Sequence, residues 1–263
     1  MRAKLTLAVA VLAAQQAWAG TISIQLTHSA ELEDGKLRAS LEVRNGGDEA
    51  ARGVSPRLRF QDAEVRAAAT EALPPGEPLE VVLETATGEL GEGRWPYSVL
   101  VDYADANLYP FQAVSVGLFE IGAPPLPKLS ITGLAPVTVG DEAELSLTLK
   151  NVSDTPQQVE LGVVGPEAVE VSVPAEQAAL AAWEERTVAL RLVNRAALPG
   201  SSYPLFVTAQ WQDGAVHQAV VAHTTVEIVE GDAAGRSLGP GLWIVGALLL
   251  VGVGFFLFRR SRT

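Results

Sequence analysis

Between residues 20 and 238 the chain carries one pattern twice, and both times the apolar residues alternate with a period of two. Leu41-Glu42-Val43-Arg44-Asn45-Gly46-Gly47-Asp48 is answered by Leu147-Thr148-Leu149-Lys150-Asn151-Val152-Ser153-Asp154, so that Asn151 lies 106 residues after Asn45. Val81 and Leu83 answer to Val188 and Leu190, Tyr97 and Val101 to Tyr203 and Val207, and Glu120-Ile121 to Glu227-Ile228, each at a spacing of 106 or 107. Ordered matches at nearly one spacing point to two copies of a unit of ordinary domain size.

Each copy reads as strands. Ile22, Ile24 and Leu26, then Leu41 and Val43, then Leu79, Val81 and Leu83, then Tyr97, Val99, Val101 and Tyr103 alternate with polar or opposite-face residues. That period sends one face into a core and the other toward solvent. In the second copy Ala143 to Leu149, Val159 to Val163, Val169 to Val173 and Tyr203 to Trp211 repeat the alternation. The best helical candidate is 176–185, but its counterpart in the first copy is Ala72-Leu73-Pro74-Pro75-Gly76, which no helix accepts, so both are read as loops before a strand. About seven short strands per copy, with turns such as Asn45-Gly46-Gly47-Asp48 and Gln212-Asp213-Gly214, predict an immunoglobulin-like β-sandwich. The chain has no cysteine, so cohesion must come from apolar burial, and neither a disulfide framework nor thiol chemistry is open to it.

The order of strand, basic-Asn, turn and strand, followed by a Pro-Gly loop and a Val-rich strand, resembles bacterial and archaeal immunoglobulin-like modules of the CARDB type and the related NEW3 type. Val43-Arg44-Asn45-Gly46-Gly47 and Leu73-Pro74-Pro75-Gly76 carry it in the first copy, and Leu149-Lys150-Asn151 and Leu198-Pro199-Gly200-Ser201-Ser202-Tyr203 in the second. The second copy departs from the pattern with Ala181-Ala182-Trp183 where a Pro-Gly turn is expected. The resemblance implies a non-catalytic module of a cell-surface or envelope protein.

The two ends give the topology. Arg2 and Lys4 precede an apolar run from Leu5 to Ala14, and Ala17-Trp18-Ala19 offers small residues where a signal peptidase reads, which makes 1–19 a signal peptide. Leu242 to Phe258 holds no charge, and from Leu238 the segment would make about 31 Å of helix, enough to span the hydrocarbon core. Arg259, Arg260 and Arg262 follow it at once, so the positive-inside rule puts the tail in the cytoplasm and the bulk outside. The expected organisation is therefore a first sandwich over 20–122, a Pro-rich linker over 123–127, a second sandwich over 128–230 and a stalk over 231–237. A transmembrane helix over 238–258 and a cytoplasmic tail over 259–263 complete it. The linker, Ala123-Pro124-Pro125-Leu126-Pro127, favours a short, stiff, extended connector.

Charge narrows the partners. All 31 acidic residues lie between Gly20 and Leu238, while five of the 19 basic ones lie outside that span, so the exported part would repel a phosphate backbone and no nucleic-acid role is expected. The bilayer, through the C-terminal helix, and a protein or an envelope polysaccharide remain as expected partners.

No catalytic, cofactor-binding or metal site emerges. Gly46-Gly47-Asp48-Glu49 spells most of a diguanylate cyclase loop, but Ala50 follows it and strands flank it, so a hairpin turn is the better reading. His217 and His223 share a strand face yet would lie about 20 Å apart, too far for one metal, and with His28 they read as solvated strand residues. Asp102, Asp105 and Asn107 form an oxygen-rich stretch that reads as a solvated turn rather than a calcium loop. Asn151-Val152-Ser153 fits a glycosylation acceptor, although the repeat already demands Asn151 as a turn residue. Tyr103, Tyr109, Trp183 and Trp211 are the first candidates for contact anchors. The expected role is a non-catalytic, single-pass interaction or spacer protein at the plasma membrane of a prokaryotic envelope. An accessory subunit of a separate envelope enzyme and a periplasmic assembly chaperone are the alternatives.

Overall fold

The computed structural model describes residues 20–174 and 177–231. The leader over 1–19, the stalk from residue 232, the apolar segment over 238–258 and the tail lie outside the described residues. Among the described residues every regular element is a strand, and no helix is long and apolar enough to cross a membrane.

The first half contains β1 (Ile24–Glu33), β2 (Lys36–Asn45), β3 (Ala51–Phe60), β4 (Ala63–Arg66), β5 (Thr70–Leu73), β6 (Pro78–Ala86), β7 (Gly93–Ala104) and β8 (Pro110–Ile121). One sheet is β1-β2-β6; in the other β8, β7 and β3 run side by side, with β4 and β5 end to end along the outer edge of β3. The second half contains β9 (Leu129–Thr132), β10 (Val137–Val139), β11 (Glu142–Asn151), β12 (Gln157–Val164) and β13 (Val169–Ser172). It continues with β14 (Gln177–Leu180), β15 (Glu185–Asn194), β16 (Ser202–Asp213) and β17 (Val216–Ile228). Its sheets are β13-β15-β11-β9 and β14-β12-β16-β17, the latter closed by β10, which runs parallel to β17.

The alternation read from the sequence is what packs the sheets. Leu37, Ala39, Leu41 and Val43 of β2 face Val54 and Leu58 of β3 and Tyr97, Val99 and Val101 of β7 across one core. Leu145, Leu147 and Leu149 of β11 face Leu205, Val207 and Ala209 of β16 across a second. Each such aliphatic side chain contributes about 1.5–3 kcal/mol of burial, which lets the halves stand without a covalent bridge.

Eight strands in the first half and nine in the second replace the seven expected for each. The extra elements include β5 and β14, in the two stretches expected to be loops. Both are four-residue edge strands, and each ends on a leucine, Leu73 or Leu180, that turns into its core. Their ladder bonds come from β3 and β12, so the local sequence need supply only one buried side chain. The copies also diverge. β4 folds straight back on β3 through Gln61-Asp62, whereas Pro166, with no N–H to close a tight hairpin, stands in the connection after β12 and β13 pairs with β15 in the opposite sheet.

Asn45-Gly46-Gly47-Asp48 is not a hairpin: β2 and β3 belong to different sheets, and the turn carries the chain across the sandwich. A buried amide stabilises this crossing in each copy. Asn45 Nδ2 donates to the carbonyls of Glu49 (2.7 Å) and Leu73 (3.1 Å), while its Oδ1 accepts from Gly47 N. Asn151 Nδ2 donates to Thr155 O and Ala181 O, both at 2.8 Å, and its Oδ1 accepts from Ser153 N and Ser153 Oγ. Both asparagines are 0% exposed. Asn151 is therefore a structural staple, with both amide protons engaged, and not a glycan acceptor.

Replacing either staple with alanine removes both amide donors to the buried carbonyls and the side-chain oxygen that receives the turn N–H. Asn45→Ala and Asn151→Ala are each expected to lower the unfolding free energy by about 1–3 kcal/mol. Urea titration of the single variants measures this.

Candidate functional site

The two halves meet along β7 and β8 of the first and β16 and β17 of the second, and the buried side chains of Arg57, Gln112 and Gln218 lie at this junction. Its centre is a backbone contact. Gly93, at the start of β7, pairs in parallel with His217 of β17, and His217 N donates to Glu92 O at 3.0 Å. Gly93 holds φ +151°, and a Cβ there would lie 2.1 Å from His217 O. Only glycine fits.

Three side-chain groups surround this contact. Arg94 is a latch: its Nε donates to Glu120 Oε1 at 2.8 Å, Nη1 to Gln218 Oε1 at 2.9 Å, and Nη2 to Pro124 O at 3.2 Å. Nη1 also donates to Pro125 O, and Gln218 Nε2 donates to the same carbonyl. One guanidinium thereby fixes the proline connector to both halves. Next to it the His217 ring lies flat on the Trp95 indole, with centroids 3.7 Å apart and planes 10° from parallel. Gln210 Oε1 lies 3.3 Å from His217 Nε2 and Gln212 Nε2 lies 3.3 Å from Nδ1.

Farther along β3, Arg57 is only 5% exposed. Its Nη2 donates to Asp102 Oδ1 (2.7 Å) and to Glu167 Oε1 of the second half (3.2 Å), and Nη1 to Glu64 Oε1 (3.4 Å). Burial works against this charge, and the three carboxylates outweigh it. Gln112 joins the network, donating to Asp102 Oδ1 and accepting from Glu167 N. Arg57 Nε is buried without a partner.

Two clefts flank the junction. One, of about 470 Å³, is lined by Arg57, Asp102, Tyr103, Phe111, Glu167 and Tyr203 among others. The other, of about 640 Å³, includes Arg59, Asp62, Trp95, Glu160 and His217. Tyr103 stacks on Phe111 (5.6 Å, 20°), and burial pushes the Tyr103 hydroxyl up to about 12, so it stays protonated as a donor. Tyr109 packs against Phe111 and donates through its hydroxyl to Ala196 O of the second half. The arrangement binds one half to the other: its cations are matched by carboxylates.

The residues singled out in the sequence are scattered. Tyr103 and Tyr109 line the first cleft, Trp211 is buried in the second core, and Trp183 stands in solvent at the turn before β15. Asp102 lies within β7 and serves Arg57, so it does not share the turn with Asp105, whose Oδ1 accepts from Asn107 N and Tyr109 N. Among the described residues no group of three His, Asp or Glu side chains could hold a metal.

Two of the three histidines are half-buried. His28 sits between Tyr97 OH (2.8 Å from Nδ1) and Ser115 Oγ (2.7 Å from Nε2), and His217 is stacked at the junction; His223 is exposed. Period-two alternation counts neighbours within a sheet, so it missed the second half packing over His217. Arg57, Arg94, Gln112 and Gln218 escaped for the same reason. The sequence did carry one clue: polar residues such as Ser55, Arg57 and Ser98 fall within long apolar strands.

No protein-family profile matches the chain, and no curated protein sequence matches it. Among solved structures, the PapD-like domain 7 of human CEP192 is similar at 14% identity and a TM-score of 0.34, covering 43% of this chain and 92% of that one. A protein of unknown function from Porphyromonas gingivalis W83 is similar at 12% identity and 0.33, covering 77% and 99%. Escherichia coli alpha-2-macroglobulin is similar at 12% identity and 0.31, covering 79% of this chain and 22% of that one. Superpositions this loose carry no argument about function, and the architecture rests on the strand pairing itself.

Two outcomes follow from this geometry. Gly93→Ala places a methyl group on the His217 backbone, so the halves should part: the radius of gyration rises in small-angle scattering and Trp95 emission changes, while both cores stay folded. Burial lowers the proton affinity of His28 and His217 below the ordinary value of 6.5. Their contribution is then fully present above that value and lost as the pH falls through the lower folded values. Melting temperatures measured from about pH 7.5 to about pH 5 should fall, and His28→Gln with His217→Gln should flatten the slope.

Proposed function

We propose that this chain is a non-catalytic, membrane-anchored interaction or spacer protein of a prokaryotic envelope, displaying two tandem immunoglobulin-like sandwiches outside the plasma membrane. In this reading the leader over 1–19 is removed, the segment over 238–258 anchors the chain, and the arginine tail is cytoplasmic. The modules are of the CARDB or NEW3 type, as the paired strand-Asn-turn motifs suggest.

The observation that carries the spacer reading is the junction. Two β-sandwiches joined by a stiff proline connector alone would keep a spacing but could still rotate about its two ends, and such a pair transmits no fixed orientation. Here the Gly93–His217 contact, the Arg94 latch and the Arg57 network tie the halves and the connector into one body. Burying charged groups is expensive unless every partner is in place, so such a junction favours one relative orientation over neighbouring ones. A stiff two-module body on a tether suits holding a partner at a set height above a bilayer.

The topology is tested with single cysteines, which the native chain lacks. In cells with a permeabilised outer layer, a membrane-impermeant maleimide should label Ser29→Cys and leave Ser261→Cys unlabelled until the plasma membrane is opened. Labelling of Ser261→Cys alone would reverse the orientation and end the proposal.

A further inference from the structure

The two copies provide an internal reference for every turn, and one turn differs in a way that folding does not account for. β6 of the first copy pairs Pro78 with Arg44, and β15 of the second pairs Glu185 with Lys150. Counting back two residues, Gly76 and Trp183 occupy the same place in the repeat. Both have left-handed backbone, with φ +79° at Gly76 and φ +61° at Trp183. Glycine adopts that conformation freely, whereas a bulky L-residue is strained in it. The indole recovers little by burial: Trp183 is 65% exposed.

The turn is nevertheless held firmly. Trp183 N donates to Ser153 O, Glu184 N to Ala181 O, and Ala181 N to Glu184 Oε2, and the Glu184 carboxylate also receives Arg186. Two exposed apolar residues stand on segments linked to it by backbone hydrogen bonds. Val152, beside Ser153, is 40% exposed and its N donates to Lys128 O; two residues before Lys128, Leu126 of the connector is 84% exposed. A rigid, strained, solvent-facing tryptophan beside further exposed apolar groups has the form of a binding anchor.

We propose that Trp183, on a turn bonded to the segment that carries Val152, is the docking anchor of this protein for a basic partner protein that offers an apolar pocket to the indole. The inference rests on the interaction-protein reading above and names its surface. The bilayer is disfavoured as the occupant by position. The described chain ends at Gly231 next to Asp141, at the start of β11, while Trp183 adjoins Ser153 past its other end, so about 30 Å of strand separates the patch from the exit toward the apolar tail. A second copy is disfavoured by charge, because the excess of acid between residues 20 and 238 makes two copies repel. The same excess attracts a basic partner; at the turn itself Glu184 and Glu185 are matched by Arg186 and Lys150, which leaves the exposed Asp154 carboxylate as the local charge for it to meet.

The test joins a stability readout to a binding readout on the full-length chain. Asparagine tolerates left-handed backbone, so Trp183→Asn should hold the melting temperature or raise it by up to about 4 °C. A fall of more than that assigns the indole to the fold and overturns the proposal. In intact cells of the native host, a photo-crosslinking aromatic amino acid at position 183 should capture one discrete protein, and the same probe at Glu77, in the equivalent turn of the first copy, should not. Once identified and purified, that protein should be basic and should bind the detergent-solubilised chain, with Trp183→Asn weakening the affinity at least about tenfold. Crosslinks to lipid, to a second copy or to nothing, or an affinity unchanged by the substitution, each overturn it. If maleimide labelling still places Ser29→Cys outside the membrane in that event, the docking surface fails while the topology stands.

Discussion

Burial of alternating aliphatic side chains between facing sheets is the interaction on which everything else in this protein depends, because a chain without cysteine has no disulfide to fall back on. Each half gathers its own core: Leu37 to Val43 of β2 against β3 and β7 in one, Leu145 to Leu149 of β11 against β12 and β16 in the other. Two cores let the halves keep their shape independently of each other. The polar junction can then be specialised for orientation rather than for stability.

The junction follows different physics from the cores. Apolar packing tolerates small rotations, since one methyl contact replaces another at little difference in energy. A buried guanidinium does not: Arg57 needs Asp102 from its own half and Glu167 from the other, and Arg94 needs both proline carbonyls and Gln218. Moving either half by an ångström or two leaves a charge desolvated and unpaired, and this narrows the allowed orientations. The close approach at Gly93, which no side chain permits, sets the same limit sterically.

Comparison of the copies separates what the unit requires from what one copy has acquired. The asparagine that staples the sheet crossing is present in both, with the same geometry, because each crossing leaves buried carbonyls in need of donors. The short strands after β3 and β12 are not equivalent: β4 stays with β3 in the first half, whereas β13 changes sheet in the second, where Pro166 intervenes. The left-handed turn before the next strand is common to both, yet one copy fills it with Gly76 and the other with an exposed Trp183. That contrast lies in side-chain chemistry alone.

The sequence by itself determined the all-β class, the duplication and most of the core, because alternation and repeat spacing are local or one-dimensional properties that need no knowledge of what packs where. It also marked Asn45 and Asn151, though only as turn residues, since their buried carbonyl partners lie up to 30 residues away in the chain. Only the tertiary structure decided that β5 and β14 are strands, that His28 and His217 are half-buried, and that Arg57, Arg94 and Gln218 form a junction. Each of these depends on a neighbour distant in the chain: a ladder partner for the two short strands, and another sheet or the other half for the rest. A period-two pattern records which face of a strand is covered by its own sandwich, and it carries no mark of a second body resting on the outer face.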